Sequence, residues 1–434
     1  MERREFLSAA GLVLVSGRTV GLSDRRTEGA YGPTVRPSDR QTPTLGPATF
    51  ARRIERAQEE LKSHKLDLLV VEPSTNFQYF AGYNPGRSER LILLMIPATG
   101  VPAIVCPSFE VERIKRNTTI SDARGWEEQE DPWLLVAKAA QQMKPRGRAG
   151  EVAVEPTTSY QSYVRLTTKV RGWIPRDGSA VTERLRIIKS PEEIALIRQA
   201  IAATEASIAA TFSQLAVGMT ERDVAQLLSR EMASRGSPGG GLVQFGPSSA
   251  LPHGGPSAGQ LTRETVVLID AGSRVEGYTS DITRTIWFGD APSDEFKKVY
   301  NIVHDAQTAV IESAKPGVTQ CQQVDRAARK VITDAGYGQY FTHRLGHGMG
   351  MDGHEPPYMV EGNTLLLEPG IVFTDEPGIY QLGKFGVRIE DDCMMTPSGV
   401  EVLSHRPSKL QSPSFLAKVT MRSKACRIES VAAA

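Results

Sequence analysis

His343 to Pro357 reads HRLGHGMGMDGHEPP. Three of the chain's 7 histidines, His343, His347 and His354, fall inside it, spaced by Gly346, Gly348, Gly350 and Gly353. Glycine reaches backbone angles that other residues avoid and lets chain or ligand approach closely. Imidazoles on such a backbone suit a site better than a core. On either side of this stretch lie strands that carry acids. TVVLIDAG (265–272) brings Asp270 to the end of an apolar run, and YTSDITRTIWF (278–288) brings Asp281. Glu276-Gly277 between them reads as a hairpin turn. Downstream, IVFTDEPGIY (371–380) carries Glu376 and FGVRIEDDCMM (385–395) carries Glu390. A carboxylate is ordinarily a surface group. One that closes an apolar strand is costly unless something positive meets it. Acids at corresponding places on both sides of a His-Gly cluster read as one site.

The frame around them looks duplicated. Ser190-Pro191-Glu192-Glu193 opens a helix, with Ser as cap, Pro in the first turn and Glu193 completing a capping box. Ile194, Ile197, Ile201, Ile208 and Phe212 mark its inner face, and it stops near Gly218. Thr220 starts a second helix that stops near Gly236. The same layout recurs downstream. Ser293 caps a helix with Phe296, Val299, Val303 and Val310 inward, ending at Pro316-Gly317. Thr319, with Gln322 beyond it, caps another that ends near Gly336. Gly-Met-Thr at 218–220 thus matches Gly-Val-Thr at 317–319. The expectation is two α+β halves facing each other across a shared sheet, over 188–406, with a cleft between them.

Upstream, residues 49–180 read as a smaller α/β domain. A charged helix at 51–62 is followed by the buried strands DLLVV (67–71), LILLMI (91–96) and AIVC (103–106). Nothing here looks catalytic; Tyr79, Tyr83, Arg87, Glu89 and Arg90 read as exposed loop residues. Two domains suit a chain of 434 residues. A net charge of +1 gives no basis for binding nucleic acid or an acidic membrane. The cysteines, Cys106, Cys321, Cys393 and Cys426, are too scattered for a zinc knuckle or a thioredoxin-like motif. At the start, Arg3-Arg4 precede Phe6-Leu7 and an apolar run to Val15 that is too short to span a bilayer. This resembles a twin-arginine export signal over 1–30, followed by a Gly/Pro/Ser-rich linker at 31–48. Glu2 departs from the pattern and no A-x-A cleavage site follows. The signal implies export of a folded protein to a bacterial periplasm; without it the protein stays cytoplasmic. Residues 407–434 read as a disordered Ser/Lys-rich tail.

Asp270, Asp281, Glu376 and Glu390 with one imidazole carry a formal charge of −4, which two divalent cations neutralise. Oxygen donors with one imidazole suit manganese first, with cobalt, iron or zinc as alternatives. Two such ions roughly 3.5 Å apart hold a hydroxide between them and stabilise an oxyanion, which is machinery for hydrolysis. The string DAG, SDITRT, HRLGHGMGMDGHEPP, DEPGIY, VRIEDD closely resembles the pita-bread metallopeptidases, over about 188 to 405. These include Xaa-Pro aminopeptidase, Xaa-Pro dipeptidase (prolidase) and methionine aminopeptidase. STNFQYFAGY (74–83) and RLRIIKSPEEI (184–194) resemble the creatinase/prolidase N-terminal domain, which points to the proline-specific branch.

The resemblance implies a role for each residue. Asp270 would bind one ion, Asp281 and Glu390 would bridge the two, and His347 and Glu376 would hold the second. Glu376 would also be general base. His354 would bind the substrate carbonyl, His343 would shape the proline pocket or relay a proton, and His253 in PHGGPS (252–257) would line that pocket. Arg388 would orient substrate or support the ligands, unless it merely pairs with Asp392 or Glu390. His64, His304 and His405 lack motif support and read as surface residues. The implied activity is hydrolysis of an Xaa-Pro bond in dipeptides or at the N-terminus of peptides, by a homodimer. The same fold also hosts creatinase, a lyase and non-catalytic binding proteins. A non-peptide substrate or a binding role therefore stand as alternatives, against which the intact ligand set argues.

Overall fold

Helix α1 (Pro47–Ser63) turns Arg53, Ile54, Ala57 and Leu61 inward at helical spacing. It begins ahead of the expected Ala51, inside the stretch read as linker. The computed structural model describes residues 45–255 and 259–410. The signal segment (1–30), residues 31–44 of the linker, Pro256 and Ser257 of the histidine segment, and the tail beyond 410 lie outside the described residues.

The expected upstream strands form as β1 (Leu68–Val71), β2 (Leu93–Pro97) and β3 (Ala103–Pro107), each buried along its whole length. They are joined by β4 (Asp122–Trp126), β5 (Gly150–Val154) and β6 (Trp173–Asp177) in the order β4-β3-β2-β1-β5-β6. The pairings of β1 with β2 and β2 with β3 are antiparallel, and the rest are parallel. Around this sheet lie α2 (Thr75–Ala81), α3 (Val111–Asn117), α4 (Pro132–Met143), α5 (Tyr160–Lys169) and α6 (Ser179–Ile187). Strands buried end to end need cover on both faces, which these helices and α1 supply. Tyr79 is not a loop residue: it is 1 % exposed on α2, and its hydroxyl donates to the Leu185 carbonyl at 3.0 Å.

The downstream frame is duplicated. Its first copy is α7 (Pro191–Ser213), α8 (Glu221–Ser234), β7 (Gly239–Phe245), β8 (Thr265–Val275), β9 (Tyr278–Thr279) and β10 (Ile282–Phe288). Its second is α9 (Asp294–Ser313), α10 (Cys321–Asp334), β11 (Gly346–Gly348), β12 (Glu355–Met359), β13 (Val372–Asp375), β14 (Gly378–Gln381), β15 (Phe385–Arg388), β16 (Asp391–Thr396) and β17 (Gly399–Val402). The capping box of Ser190 and Glu193 forms as expected. Gly218 and Gly317 both adopt positive φ and donate to matching carbonyls, Leu261 at 2.9 Å and Leu367 at 2.8 Å. The second copy then differs. Its helix is capped at Gln320, whose N–H is met by the Gln323 side chain at 2.7 Å. The hydroxyl of Thr319, the expected cap, instead accepts from the Lys315 N–H at 2.9 Å. One extra residue after Gly317 accounts for the shift.

Strands β10-β8-β7 form one ladder, with β9 on β8, and β12-β11-β13-β16-β17 form another. The turn at Glu276-Gly277 has positive φ at both residues, 49° and 88°, the geometry that suits a tight hairpin. The halves meet side by side and do not merge into one ladder. Glu390 N–H donates to Thr283 O at 3.1 Å, and the Thr285 hydroxyl donates to Arg388 O at 2.7 Å. The upstream region docks on this frame through a buried arginine: Arg53 reaches Glu193 at 2.9 Å and the Tyr278 hydroxyl at 2.6 Å. Among the described residues no helix is long and apolar enough to cross a membrane.

Candidate metal centre and active site

Strand register brings the acids together. Asp270 pairs with Thr283 and Ala271 with Ile282, so Asp281 lies one step past that ladder's end. In the second copy Asp375 pairs with Asp391, which sets Glu376 and Glu390 opposite each other one step on. His347 sits on β11, beside β13. The glycines around it allow this packing. A Cβ on Gly346 would lie 2.0 Å from Thr374 O, and one on Gly348 2.4 Å from Pro356 O.

The donor atoms converge in overlapping sets. Asp270, Asp281 and Glu390 bring ligand atoms within 4.8 Å of one another, and so do His347, Glu376 and Glu390, which makes Glu390 common to both. A further set joins Asp281, His347 and His354. His347 Nδ1 lies 3.1 Å from the Gly348 carbonyl, which can only accept. That nitrogen therefore carries the proton, and Nε2 turns a lone pair toward Glu376 Oε1 at 3.3 Å and Asp281 Oδ2 at 3.8 Å. Burial pushes the His347 imidazole down to about 3, so it is neutral. Burial pushes Glu376 up to about 7. Asp281 is held well above the carboxylate range by burial first and then by the charges of Asp270, Asp392 and Glu376, and Glu390 by burial first and then by those of Asp281, Glu376 and Asp270. Electron pairs that face one another across such distances call for a proton or a cation between them. The chemistry of the donor set thus fits divalent ions.

One cation is built in. Arg388, 2 % exposed, places Nη2 at 2.6 Å from Asp270 Oδ2, Nη1 at 2.8 Å from the Tyr380 hydroxyl and Nε at 3.0 Å from the Thr283 hydroxyl. It meets Asp270, the acid that needed a positive partner. Of the simpler pairings expected for it, Glu390 stands 4.0 Å from Nε. The Thr283 hydroxyl in turn donates a hydrogen bond to Glu390 Oε2 at 2.6 Å. Tyr380 links Arg388 to His343, whose Nε2 lies 2.8 Å from the same hydroxyl. His343 Nδ1 faces the Arg344 carbonyl at 2.7 Å, so Nε2 accepts and the tyrosine donates. Burial pushes His343 down to about 4.

His354 is exposed, its ring stacked on that of His347 with centroids 3.8 Å apart. Its Nδ1 faces Arg344 Nη2 at 3.4 Å; a guanidinium only donates, so Nε2 of His354 carries the proton. His253 is exposed and close enough for its charge to act on both His343 and His354. Asp270, Asp281, His347, Glu376 and Glu390, with His253, His343, His354 and Arg388, therefore lie in or beside one cluster. Tyr380, Thr283, Thr374 and Arg344 were not singled out. Tyr380 closes the DEPGIY string and was open to notice; the threonines carry no sequence signal. Thr374 takes the His347 N–H at 3.1 Å and donates to Glu376 at 3.1 Å. Of the histidines read as surface residues, His64 and His405 are exposed. His304 is buried, facing Pro407 O at 3.1 Å where the chain crosses α9.

Residues 195–397 match Metallopeptidase family M24, and residues 53–188 match the Creatinase/Prolidase N-terminal domain. An Xaa-Pro dipeptidase of Lactobacillus helveticus is 35 % identical over 367 residues, covering 82 % of this chain and 98 % of that protein. A dipeptidase from Mycobacterium ulcerans superposes with a TM-score of 0.78 at 35 % identity, covering 84 % of this chain and 97 % of that one. An X-Pro aminopeptidase from Thermotoga maritima superposes with a TM-score of 0.70 at 31 % identity, covering 80 % and 98 %. A duplicated α+β frame, an acid and imidazole cluster at its centre and likeness along nearly the whole length of these relatives agree: the chain belongs to metallopeptidase family M24, with a Creatinase/Prolidase N-terminal domain ahead of it.

Proposed function

We propose that this protein is a metal-dependent exopeptidase that hydrolyses the bond between an N-terminal residue and proline. The observation that carries the reading is the pair of donor sets that share Glu390. Asp270, Asp281 and Glu390 would hold one divalent ion, and His347, Glu376 and Glu390 the other, with manganese the first candidate. Bound there, such ions act as Lewis acids and make water a nucleophile at neutral pH. Glu376, facing the cluster beside His347, takes a proton from the attacking water. The Nε2–H of His354 donates to the carbonyl oxygen of the scissile bond, where negative charge develops. An Xaa-Pro bond lacks an N–H and carries a bulky ring, so its enzyme must seat the ring and protonate an imino nitrogen as it leaves. His343 and His253 line the place where that ring would sit. The Arg388–Tyr380 pair holds His343 Nε2 as an acceptor beside that place, and the proton that Glu376 takes from the water is the one delivered to the departing nitrogen.

The test is hydrolysis of Ala-Pro and Ala-Pro-Ala by the manganese-loaded protein beside an EDTA-treated sample. Metal-dependent release of alanine from either peptide supports the reading. Cleavage of neither, with metal bound, moves the assignment to a non-peptide substrate. We further propose that the protein works as a homodimer and that residues 1–30 direct its export as a folded, metal-loaded protein. Gel filtration reads the first. Retention in the cytoplasm of a protein lacking residues 1–30 reads the second, and unchanged export would refute it.

A further inference from the structure

Helix α10 lies outside the cluster, yet it carries a carboxylate on its buried side. Cys321, Val324, Asp325, Ala328 and Ile332 form that stripe, and Asp325 is 2 % exposed. A buried carboxylate is costly unless donors meet it. Arg329, one turn on, meets it twice, Nε to Oδ2 at 3.0 Å and Nη2 to Oδ1 at 2.9 Å. The guanidinium does more than neutralise its neighbour. Nη1 donates to the Phe341 carbonyl and Nη2 to the His343 carbonyl, each at 2.9 Å. Asp325 Oδ1 also accepts from the Leu345 N–H at 2.9 Å, a donor that Met359 O shares at 3.1 Å. Residues 341–345 belong to no helix or strand, so their main-chain groups need partners from elsewhere. This one ion pair meets three of them. It also sets a ring. The guanidinium lies over Phe341 with Cζ 4.3 Å from the centroid, and Phe341 stands edge-on to the His343 imidazole, 5.3 Å away at 89°. His343 is therefore held from two sides. Arg388 acts through the Tyr380 hydroxyl on Nε2, and Arg329 acts through the main chain and Phe341.

Resting on the peptidase reading above for its effect on substrate, we propose that Asp325 and Arg329 are positioning residues: from a helix outside the cluster they set the His343 imidazole, and through it the fit of the proline ring. The imidazole must keep Nδ1 on the Arg344 carbonyl and Nε2 under the Tyr380 hydroxyl. Those two bonds leave opposite edges of the ring, so a shift of the His343 backbone gives up one to keep the other. A guanidinium is a rigid fork that spans two carbonyls and a carboxylate at once, which an ammonium cannot do. The stretch so held ends at Leu345, whose carbonyl accepts the Glu376 N–H at 3.1 Å. The clamp thus fixes His343 relative to the proposed base as well as to the tyrosine.

The experiment compares the full-length wild type with Arg329→Lys and Arg329→Met. In zinc-loaded protein with isotope-labelled histidines, NMR of the ring nitrogens reads each tautomer, and the signal missing from His343→Gln identifies His343. The wild type should show His343 protonated at Nδ1 alone. Arg329→Lys should mix its tautomers while the His347 and His354 signals stay in place. A His343 signal unmoved in both variants overturns the proposal; the pair then only anchors α10, and thermal unfolding alone registers its loss. On Ala-Pro with manganese, KM should rise about tenfold in Arg329→Met, with kcat within a factor of about two. That is the lower end of what a hydrogen bond from a charged group contributes, because the guanidinium side chain is 35 % exposed. Arg329→Lys should raise KM by about threefold. An unchanged KM in both variants overturns the proposal as well. Arg329→Met strips a buried carboxylate of its cation, which endangers the fold; Arg329→Lys keeps the charge, so the comparison stands on it alone. If the wild type cleaves no Ala-Pro, the peptidase reading fails by itself. The His343 signal then still decides whether the pair sets the ring: movement supports it, and constancy overturns it.

Discussion

Replacing Asp352 with alanine should slow turnover far more than it loosens the fold. Asp352 lies in the turn that carries His354. Its Oδ2 accepts from Arg186 Nη2 at 2.7 Å, and its Oδ1 accepts from the Thr75 hydroxyl at 2.6 Å. Both donors come from the N-terminal region, so this one side chain fastens the His354 turn to it. A charged hydrogen bond contributes roughly 1.5–3 kcal/mol when shielded. The Asp352 side chain is 42 % exposed, so solvent screening brings the ion pair down to about 1 kcal/mol. Arg186 keeps Glu355 and Asn76 when Asp352 is gone, so no buried charge is orphaned. The total loss is about 1–2 kcal/mol, which for a chain this long lowers Tm by only a few degrees. On the proposed function, the same loss falls wholly on the turn that would aim the His354 Nε2–H at the substrate carbonyl. Removing such a donor outright slows turnover by about 10²–10³. A loosened one should slow it by about tenfold, with KM within a factor of about two. Steady-state kinetics beside thermal unfolding makes the measurement. A variant with lowered Tm and wild-type kcat would refute the idea that the N-terminal region positions His354.

Glu376→Gln should fold normally and lose turnover by about 10² or more, since the amide cannot accept the water's proton; near-normal kcat would remove Glu376 as base. Affinity for Mn²⁺ should rise with pH between about 5 and about 7.5, with protons released, because ligands must be deprotonated to bind. The sign follows from the carboxylates. Glu376 is raised to about 7 in the metal-free protein, so it still holds its proton at acid pH, whereas His347, pushed down to about 3, is already neutral throughout. The raised Glu376 also stabilises the metal-free fold below the ordinary carboxylate value, and that contribution is lost as pH rises toward 7. Calorimetry in buffers of different ionisation enthalpy reads the protons, and a pH-independent affinity would contradict the assignment.

The duplicated frame and the acid cluster were legible because their signals are local. Ser190 with Glu193, the turn at Glu276-Gly277 and the apolar runs into Asp270 and Asp375-Glu376 each combine residue types that physics confines to few conformations. Strands β4 to β6 were not, because DARGW, GEVAV and WIPRD show neither a long apolar run nor clean alternation. They are strands because the already buried β1 and β3 offer them edges, which is tertiary information. The cap of α10 slipped by one residue for a related reason. Thr319 is the better capping residue in isolation, but the extra residue after Gly317 hands its hydroxyl to Lys315. Tyr79 looked like a loop residue because TNFQYFA is a short segment; the Ser74 cap and the left-handed Gly82 make it a helix. At the site, the carboxylates and imidazoles declared themselves by type. Tyr380, Thr283 and Arg344 matter through whom they touch, and contact is what strand register decides.

Arg388 changes the electrostatic account that composition alone suggests. The four carboxylates and neutral imidazole carry −4, but a guanidinium fixed on Asp270 brings the buried cluster to −3. Two divalent ions would then leave it at +1, a charge that suits an oxyanion developing on the substrate. Arg388 cannot be exchanged freely, because its three nitrogens serve three partners on two halves of the frame: Asp270 and Thr283 from the first, Tyr380 from the second. Arg388→Lys keeps the charge and can keep the contact to Asp270. It cannot keep all three, since an ammonium on a flexible stem lacks the fixed fork. The variant should therefore bind metal with unchanged stoichiometry, while Tyr380 still donates to His343 but its oxygen loses the charged donor that fixes it there. A buried hydrogen bond from a charged group contributes about 1.5–3 kcal/mol. If that loss appears in the transition state, kcat falls by about tenfold at constant metal content. Loss of metal together with activity would instead mean that Arg388 serves the ligands alone, and full activity would mean that charge is all it supplies.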